Sequence, residues 1–326
     1  MAVKNLLFIG PTCLGDMVMA SGILQHLLHN NPEARFTLAC GRVPAMLFNG
    51  HPALQQVIIL KKEPWKKHWL KLYWQCRSVD WDIIVDVRNS LVARLLPARQ
   101  KLILSAKEQG VHAVEQISAL LAKGQIYAPY LHIPPAAMNK AQQLLAGVPA
   151  GMPLILVAPA AGDKGKEWLP VNFAKTLEYL TAATGLLPHA YIGMMGAESE
   201  RAVCEAVMNA LPAAPIIDLV GNNTPLEAAA IMARAQLFIG NDSGLSHVAA
   251  AMNTPTIVCA GAGVAWRSKP WGQHVCYVSP LNDDSSRRQN MARYDEEAAK
   301  AVMAQLSVDR VMEAAQKLLH QENRRT

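Results

Sequence analysis

Phe238-Ile-Gly-Asn-Asp242-Ser243-Gly244-Leu245-Ser-His247-Val-Ala-Ala-Ala-Met-Asn-Thr-Pro255-Thr-Ile-Val258 decides the fold, because it reads as strand, polar glycine-containing turn, helix and second strand. That order is the unit of a parallel α/β sheet. It also builds an anion site. A helix opening at Asp242 or Ser243 aims its unpaired N–H groups and positive dipole end into the turn, and Gly244 lets a ligand approach the backbone. Phosphate is the natural occupant; on this segment alone, an ordinary capped helix is the alternative.

Working outward, strand-length apolar runs alternate with longer stretches of helical period, the pattern of βα units rather than hairpins. The first half predicts strands at 5–9, 35–39, 57–60, 83–87 and 101–104, with helices at 17–29, 65–79 and 114–123. Pro129, Pro134, Pro135, Pro149 and Pro153 then interrupt the pattern, so the expected division is 1–150 and 151–326. The second half predicts strands at 154–158, 190–193, 216–219, 237–239 and 256–259, alternating with helices at 171–184, 199–210, 226–233 and 246–252. A last helical segment, 308–321 within a C-terminal stretch of about 306–326, falls after the second sheet and is expected to cross the interdomain region. The fold class is thus α/β, two doubly wound Rossmann-like domains in series, with ligands at the carboxyl ends of the strands and a cleft between the domains.

The 326 residues exceed what one core ordinarily holds, 51% of them are hydrophobic, and the N-terminus offers only a short apolar run, Leu6–Ile9, before Gly10. A cytoplasmic location is expected. Cys13, Cys40, Cys76, Cys204, Cys259 and Cys276 show neither CxxC nor His-paired spacing, which argues against zinc and against a disulfide framework. The formal charge is +6. From Lys61 to Lys107, eleven basic residues (Lys61, Lys62, Lys66, Lys67, Lys71, Arg77, Arg88, Arg94, Arg99, Lys101, Lys107) face four acidic ones. Anions should be drawn there. Trp65, Trp69 and Trp74 share the basic run, so it reads either as a solvated helix surface or as an element resting at a lipid headgroup surface. No pattern of a nucleic-acid-binding module accompanies the charge.

The first turn, Gly10-Pro-Thr-Cys-Leu-Gly15-Asp16-Met17, has neither GxGxxG nor GxxxxGK[ST] spacing, which lowers the case for NAD or ATPase chemistry. It presents one carboxylate, Asp16, placed either to take a proton from an incoming hydroxyl or to cap the following helix. After strand 154–158 comes Pro159-Ala-Ala-Gly162-Asp163-Lys164-Gly165-Lys166-Glu167-Trp168-Leu-Pro170, a Gly-rich loop whose two lysines suit a phosphate-bearing ligand, unless it is simply solvated. Gly193-Met-Met-Gly196-Ala-Glu198-Ser-Glu200 places acids where ribose hydroxyls can be held, although acids in a first helical turn are common.

The order of these pieces resembles the ADP-heptose:lipopolysaccharide heptosyltransferases, glycosyltransferase family 9, with the GT-B architecture. The likeness rests on Ile9–Val18 with its Leu-Gly-Asp, Asp82-Ile-Ile-Val-Asp86, Val111-His-Ala-Val-Glu115, Lys166-Glu-Trp168 with Pro170, Asn241–Ala251 and Thr254-Pro255, and it runs over nearly the whole chain. It implies an N-terminal domain for the lipopolysaccharide inner-core acceptor at the cytoplasmic membrane face and a C-terminal domain for the nucleotide sugar, ADP-heptose. By the same match Asp16 looks like the general base and Lys166 like the lysine on the donor diphosphate and sugar. Asp242 resembles the carboxylate that holds sugar hydroxyls, while Ser243, Gly244 and Leu245 offer N–H groups to the phosphates. His247 orients that loop, touches phosphate or is a buried structural histidine. Lys164 and Glu198 join the donor set, and Arg88, Arg94, Lys61 and Lys62 the acceptor set. One base and direct displacement predict inversion, and a lysine with a helix N-terminus can stabilise the leaving diphosphate without metal or other cofactor. The chain departs from the family at Ala160 and Ala161, at Ala260-Gly-Ala-Gly263-Val-Ala-Trp266, and near Met291 and Met303, where many members carry a cysteine-bearing segment. Two other readings remain: the same chemistry with another nucleotide sugar, or a non-catalytic protein of this fold that binds a nucleotide sugar or glycan.

Overall fold

The computed structural model describes residues 3–105, 110–261, 265–280 and 295–323. It separates into two units, Met1–Pro134 with Trp266–Trp271, and Pro135–Ala265 with Gly272–Thr326. Lys107, Gly263 and Met291, singled out in the sequence, lie outside the described residues.

The first unit runs β1 (Asn5–Ile9), α1 (Leu14–Asn30), β2 (Arg35–Cys40), α2 (Arg42–Ala45), β3 (Leu54–Ile59), α3 (Lys67–Cys76), β4 (Trp81–Asp86), α4 (Leu91–Leu95), β5 (Ala98–Ile103) and α5 (Ala113–Ser118). Its five strands are parallel in the order β3-β2-β1-β4-β5. Leu6, Leu7, Phe8 and Ile9 of the central β1 are wholly buried, as expected of a parallel strand covered on both faces. On α1, a Cβ at Gly22 would stand 2.2 Å from the carbonyl oxygens of Tyr127 and Ala128, so only glycine lets this segment lie against the helix. The Ser21 hydroxyl, accepting from Tyr130 N at 2.9 Å, fixes the same contact.

The second unit runs α6 (Pro135–Leu144), β6 (Leu154–Ala158), α7 (Pro170–Thr181), β7 (Tyr191–Met194), α8 (Arg201–Asn209), β8 (Ile216–Asp218), α9 (Pro225–Met232), β9 (Leu237–Asn241), α10 (Gly244–Ala251), β10 (Thr256–Cys259) and β11 (Val275–Val278), closed by helices Glu296–Met303 and Val308–Asn323. Its parallel order, β11-β10-β9-β6-β7-β8, is the doubly wound order a second time. Each sheet therefore has a point where strand order reverses, between β1 and β4 in one and between β6 and β9 in the other.

The structure refines the sequence reading at four places. The division falls at Pro134/Pro135 rather than 150, because α6 buries Ala137 and Ala141 in the second unit, packed on α9. Trp266–Trp271 belongs to the first unit, which no composition shift announces. Within the second unit the terminal helix packs into the core, where Val311, Ala315 and Leu318 are buried. The helix expected over 65–79 begins only at Lys67, since Trp65 (φ 55°) and Lys66 (φ 56°) adopt left-handed backbone after Pro64. Among the described residues no helix is long and apolar enough to cross a membrane, and all six cysteines are free.

Candidate active site

At the reversal point of the second sheet, the turns after β6 and β9 meet. The β6 turn folds into a 3₁₀ turn, Lys164–Lys166, capped by Asp163, whose carboxylate accepts from Gly165 N at 3.0 Å. It is pinned by Asn241, the wholly buried last residue of β9: Oδ1 accepts from Trp168 N at 3.0 Å and Nδ2 donates to Pro159 O at 2.6 Å. Trp168, itself fully buried, packs edge-on to Phe173 and donates Nε1–H to Leu306 O at 2.9 Å. With both ends of the loop fixed, Lys166 Nζ lies 3.0 Å from Asp242 Oδ2, half-buried on both sides.

Helix α10 opens here. Ser243 is its N-cap residue in extended conformation, yet its hydroxyl accepts no cap bond, and the buried Oγ has no hydrogen-bond partner among the described residues. Asp242 is engaged by Lys166 instead. No side-chain cap therefore takes the N–H groups of the first turn at Gly244 and Leu245, and the dipole at this end favours an anion. Ser246 donates to Asn241 O at 2.6 Å, locking the turn from below, and His247 is buried in the helix's first turn.

The remaining donor candidates stand apart from this pair. Lys164 is exposed on the 3₁₀ turn. Glu198, after β7, gives both carboxylate oxygens to Arg201 (2.7 and 2.9 Å), which also pairs with Asp218, and that guanidinium holds the Glu198 carboxyl below its ordinary range. Among the described residues no hydrogen bond joins Glu198 to Lys166 or Asp242.

The reversal point of the first sheet carries Asp16. Helix α1 begins at Leu14, so Asp16 sits in its first turn rather than at the cap, which is Cys13 and makes no side-chain bond. The exposed Asp16 carboxylate lines a pocket of about 370 Å³ with Thr12, Arg88, Gln116 and Arg267. Arg88 is placed by Asp86 at the end of β4. This fully buried carboxylate accepts from Arg88 N (2.8 Å), Ser90 N (2.6 Å) and Ser90 Oγ (2.7 Å). Burial pushes its pKa up against the pull of these bonds. Asp82, the other acid of that strand, accepts from Lys4 N and Asn5 N and pairs with Arg99; the two backbone bonds hold its pKa down, and the residue ties β4 to β1.

Arg94, Lys61 and Lys62 are not among the residues lining the Asp16 pocket. Arg94 donates to Asn89 Oδ1, Lys61 borders a separate pocket of about 180 Å³ with Glu63, His68 and Lys71, and Lys62 is exposed. Sequence reasoning missed Asn241 and Arg267. Asn241 carried a signal, a polar residue ending an apolar strand; Arg267 carried none.

Each sheet thus brings polar side chains to its own reversal point, the arrangement of a doubly wound protein that handles phosphorylated or nucleotide ligands. The sequence profile of glycosyltransferase family 9 (heptosyltransferase) matches residues 103–296, more than half of the chain. The chain belongs to this family. It is accordingly a glycosyltransferase. The enzyme is 24% identical to lipopolysaccharide heptosyltransferase 3 of Escherichia coli over 293 residues, covering 80% of this chain and 84% of that protein. It is 23% identical to lipooligosaccharide heptosyltransferase 2 of Haemophilus influenzae over 79% of this chain and 83% of the relative. Among solved structures, the family 9 glycosyltransferase of Veillonella parvula superimposes with a TM-score of 0.80 at 16% identity, covering 98% of both chains. The E. coli heptosyltransferase WaaC with ADP superimposes with a TM-score of 0.68 at 17% identity, covering 97% of this chain and 100% of that one. These likenesses show the fold: the glycosyltransferase has the GT-B architecture.

Proposed function

We propose that the enzyme moves heptose from ADP-heptose to the inner core of lipopolysaccharide, by a metal-independent displacement that inverts the anomeric centre. The observation that carries this reading is the Lys166–Asp242 pair at the open N-terminus of α10. A diphosphate there meets an ammonium and the first-turn N–H groups, which stabilise the charge that develops as ADP departs. Asp242 accepts hydrogen bonds from the sugar hydroxyls. Asp16 takes the proton from the acceptor hydroxyl as its oxygen forms the new bond to the anomeric carbon and the bond to the ADP oxygen breaks. One displacement leaves the configuration inverted.

The name of one relative structure, WaaC with ADP-2-deoxy-2-fluoro heptose, supports the choice of donor, and the curated relatives' names support the acceptor. The acceptor is anchored in a membrane, so we also read the face around α3 as a peripheral contact with the cytoplasmic membrane leaflet. Trp65 is 92% exposed on its left-handed turn, Leu70 and Trp74 are exposed, and Lys61, Lys62, Lys66, Lys67 and Lys71 surround them. Amphipathic rings and ammonium groups together suit an anionic headgroup surface.

The test is Asp16→Asn. Turnover should fall at least about a hundredfold while ADP affinity is unchanged; retained turnover would remove the base. A thermal-shift panel of nucleotide sugars identifies the donor, since a ligand at a hundredfold over its Kd adds about 2.7 kcal/mol of stability.

A further inference from the structure

Among the described residues, Arg267 is the one residue of the Asp16 pocket drawn from the second half of the chain. It arrives there because Trp266–Trp271 leaves the second unit between β10 and β11 and belongs to the first. Two contacts hold this strap. His112 accepts from Val114 N through Nδ1 at 3.1 Å, capping α5, so its Nε2 carries the hydrogen donated to Lys269 O at 2.9 Å. The Trp271 ring lies 4.8 Å from the same imidazole and packs on Met19, Ala113 and Val114. The strap is therefore built into the pocket wall.

Its arginine is not spent on the protein. Arg267 Nε is buried without a hydrogen-bond partner, and among the described residues neither Arg267 nor Arg88 enters an ion pair. The Arg88 guanidinium lies 5.3 Å from the Trp69 ring, a contact that leaves its N–H edge available. Against these two guanidinium groups the described lining supplies one carboxylate, Asp16. The pocket is net cationic, and a forked guanidinium donor with a desolvated Nε is the group that recognises an oxyanion.

We propose that Arg267, together with Arg88, binds an anionic substituent of the acceptor sugar, a carboxylate or a phosphate, and so presents that sugar's hydroxyl to Asp16. The assignment of the ligand as acceptor rests on the transferase reading above; the anion site itself does not. A neutral sugar would leave both guanidinium groups uncompensated beside it, so the pocket selects charged acceptors.

The experiment is a fluorescence titration of the full chain with glucuronate, glucose 6-phosphate and neutral glucose, comparing wild type with Arg267→Ala and Arg267→Lys. The wild type should bind at least one anionic sugar at least about tenfold more tightly than glucose, and Arg267→Ala should lose that margin. Which anion is preferred separates carboxylate from phosphate recognition. Arg267→Lys should fall between, because it keeps the charge and loses the fork. ADP binding by calorimetry, unchanged in both variants, reports that the chain is folded. Equal anionic-sugar affinity in wild type and Arg267→Ala, or no wild-type preference for either anion over glucose, overturns the proposal. Binding is read without turnover, so failure to transfer heptose would strike the transferase reading and leave the anion site to its own titration.

Discussion

Lys166 and Asp242, 76 residues apart in the chain, meet at 3.0 Å because the turns after β6 and β9 share the reversal point of one sheet. In this pair each charge neutralises the other. On the proposed reading, a diphosphate that uses the Lys166 ammonium draws it from Asp242 and frees that carboxylate for the sugar. Lys166→Ala should weaken ADP binding by about ten- to a hundredfold, since it removes a charge-assisted donor and leaves Asp242 facing the phosphates. Asp242→Asn should bind ADP as tightly as wild type or more tightly, yet lose turnover of the sugar donor. The double variant should recover part of the ADP affinity lost in Lys166→Ala. Calorimetry with ADP checks all three, and wild-type affinity in Lys166→Ala would remove the phosphate role.

Asn241 holds the loop that carries Lys166. Asn241→Ala orphans Trp168 N–H and Pro159 C=O in a buried place, at about 1–3 kcal/mol each, so urea unfolding should show a loss of about 2–4 kcal/mol. Donor affinity should fall with it, because the lysine loop loses its anchor. A variant as stable as wild type would show that the loop is held by Trp168 packing alone.

His51 makes the first unit sensitive to acid. Burial, with the neighbouring His132 imidazole adding to it, lowers the His51 pKa to about 4. Below the unfolded value of 6.5 the unfolded chain takes up a proton that the folded ring refuses until about pH 4. The stability is therefore fully present above pH 6.5 and is lost as pH falls through this window. Discounted for partial exposure of the ring, His51→Gln should reduce the acid-induced loss between pH 7 and pH 4.5 by about 1–2 kcal/mol, or a few degrees of Tm. Identical Tm profiles for the two proteins would assign the acid sensitivity elsewhere.

The face around α3 is tested with vesicles. Co-sedimentation with anionic phospholipid should exceed that with zwitterionic phospholipid, decline with added salt, and fall in Trp65→Ala and in a Lys66→Glu/Lys67→Glu variant, each lysine contributing about 1 kcal/mol. Salt-independent binding would contradict an electrostatic contact. Trp74 should matter less than Trp65, since Arg77 stacks over its ring at 4.1 Å.

Much of this is legible in the sequence. The strands at 5–9, 154–158 and 256–259 coincide with β1, β6 and β10, because central parallel strands are short unbroken apolar runs bounded by glycine, proline or polar turns. The edge strand β11 escaped notice, since its residues are only half-buried and its composition is mixed. The helix over 65–79 was overextended because apolar period alone does not report the left-handed pair at Trp65 and Lys66. Asp16, Lys166 and Asp242 stand out in the sequence as site candidates because each falls at a strand-to-helix junction, where chemistry collects in such folds.

The sequence by itself determined which residues stand at strand ends and that two α/β sheets follow one another, since hydrophobic period and turn composition are local properties written every few residues. Only the tertiary structure decided which strand ends are neighbours. It drew Lys166 to Asp242, gave α6 to the second unit, and carried Arg267 from between β10 and β11 into the pocket of Asp16. Strand order and the docking of the strap on His112, through Lys269 and Trp271, depend on contacts between segments far apart in the chain, and such contacts leave no periodic trace in either segment alone.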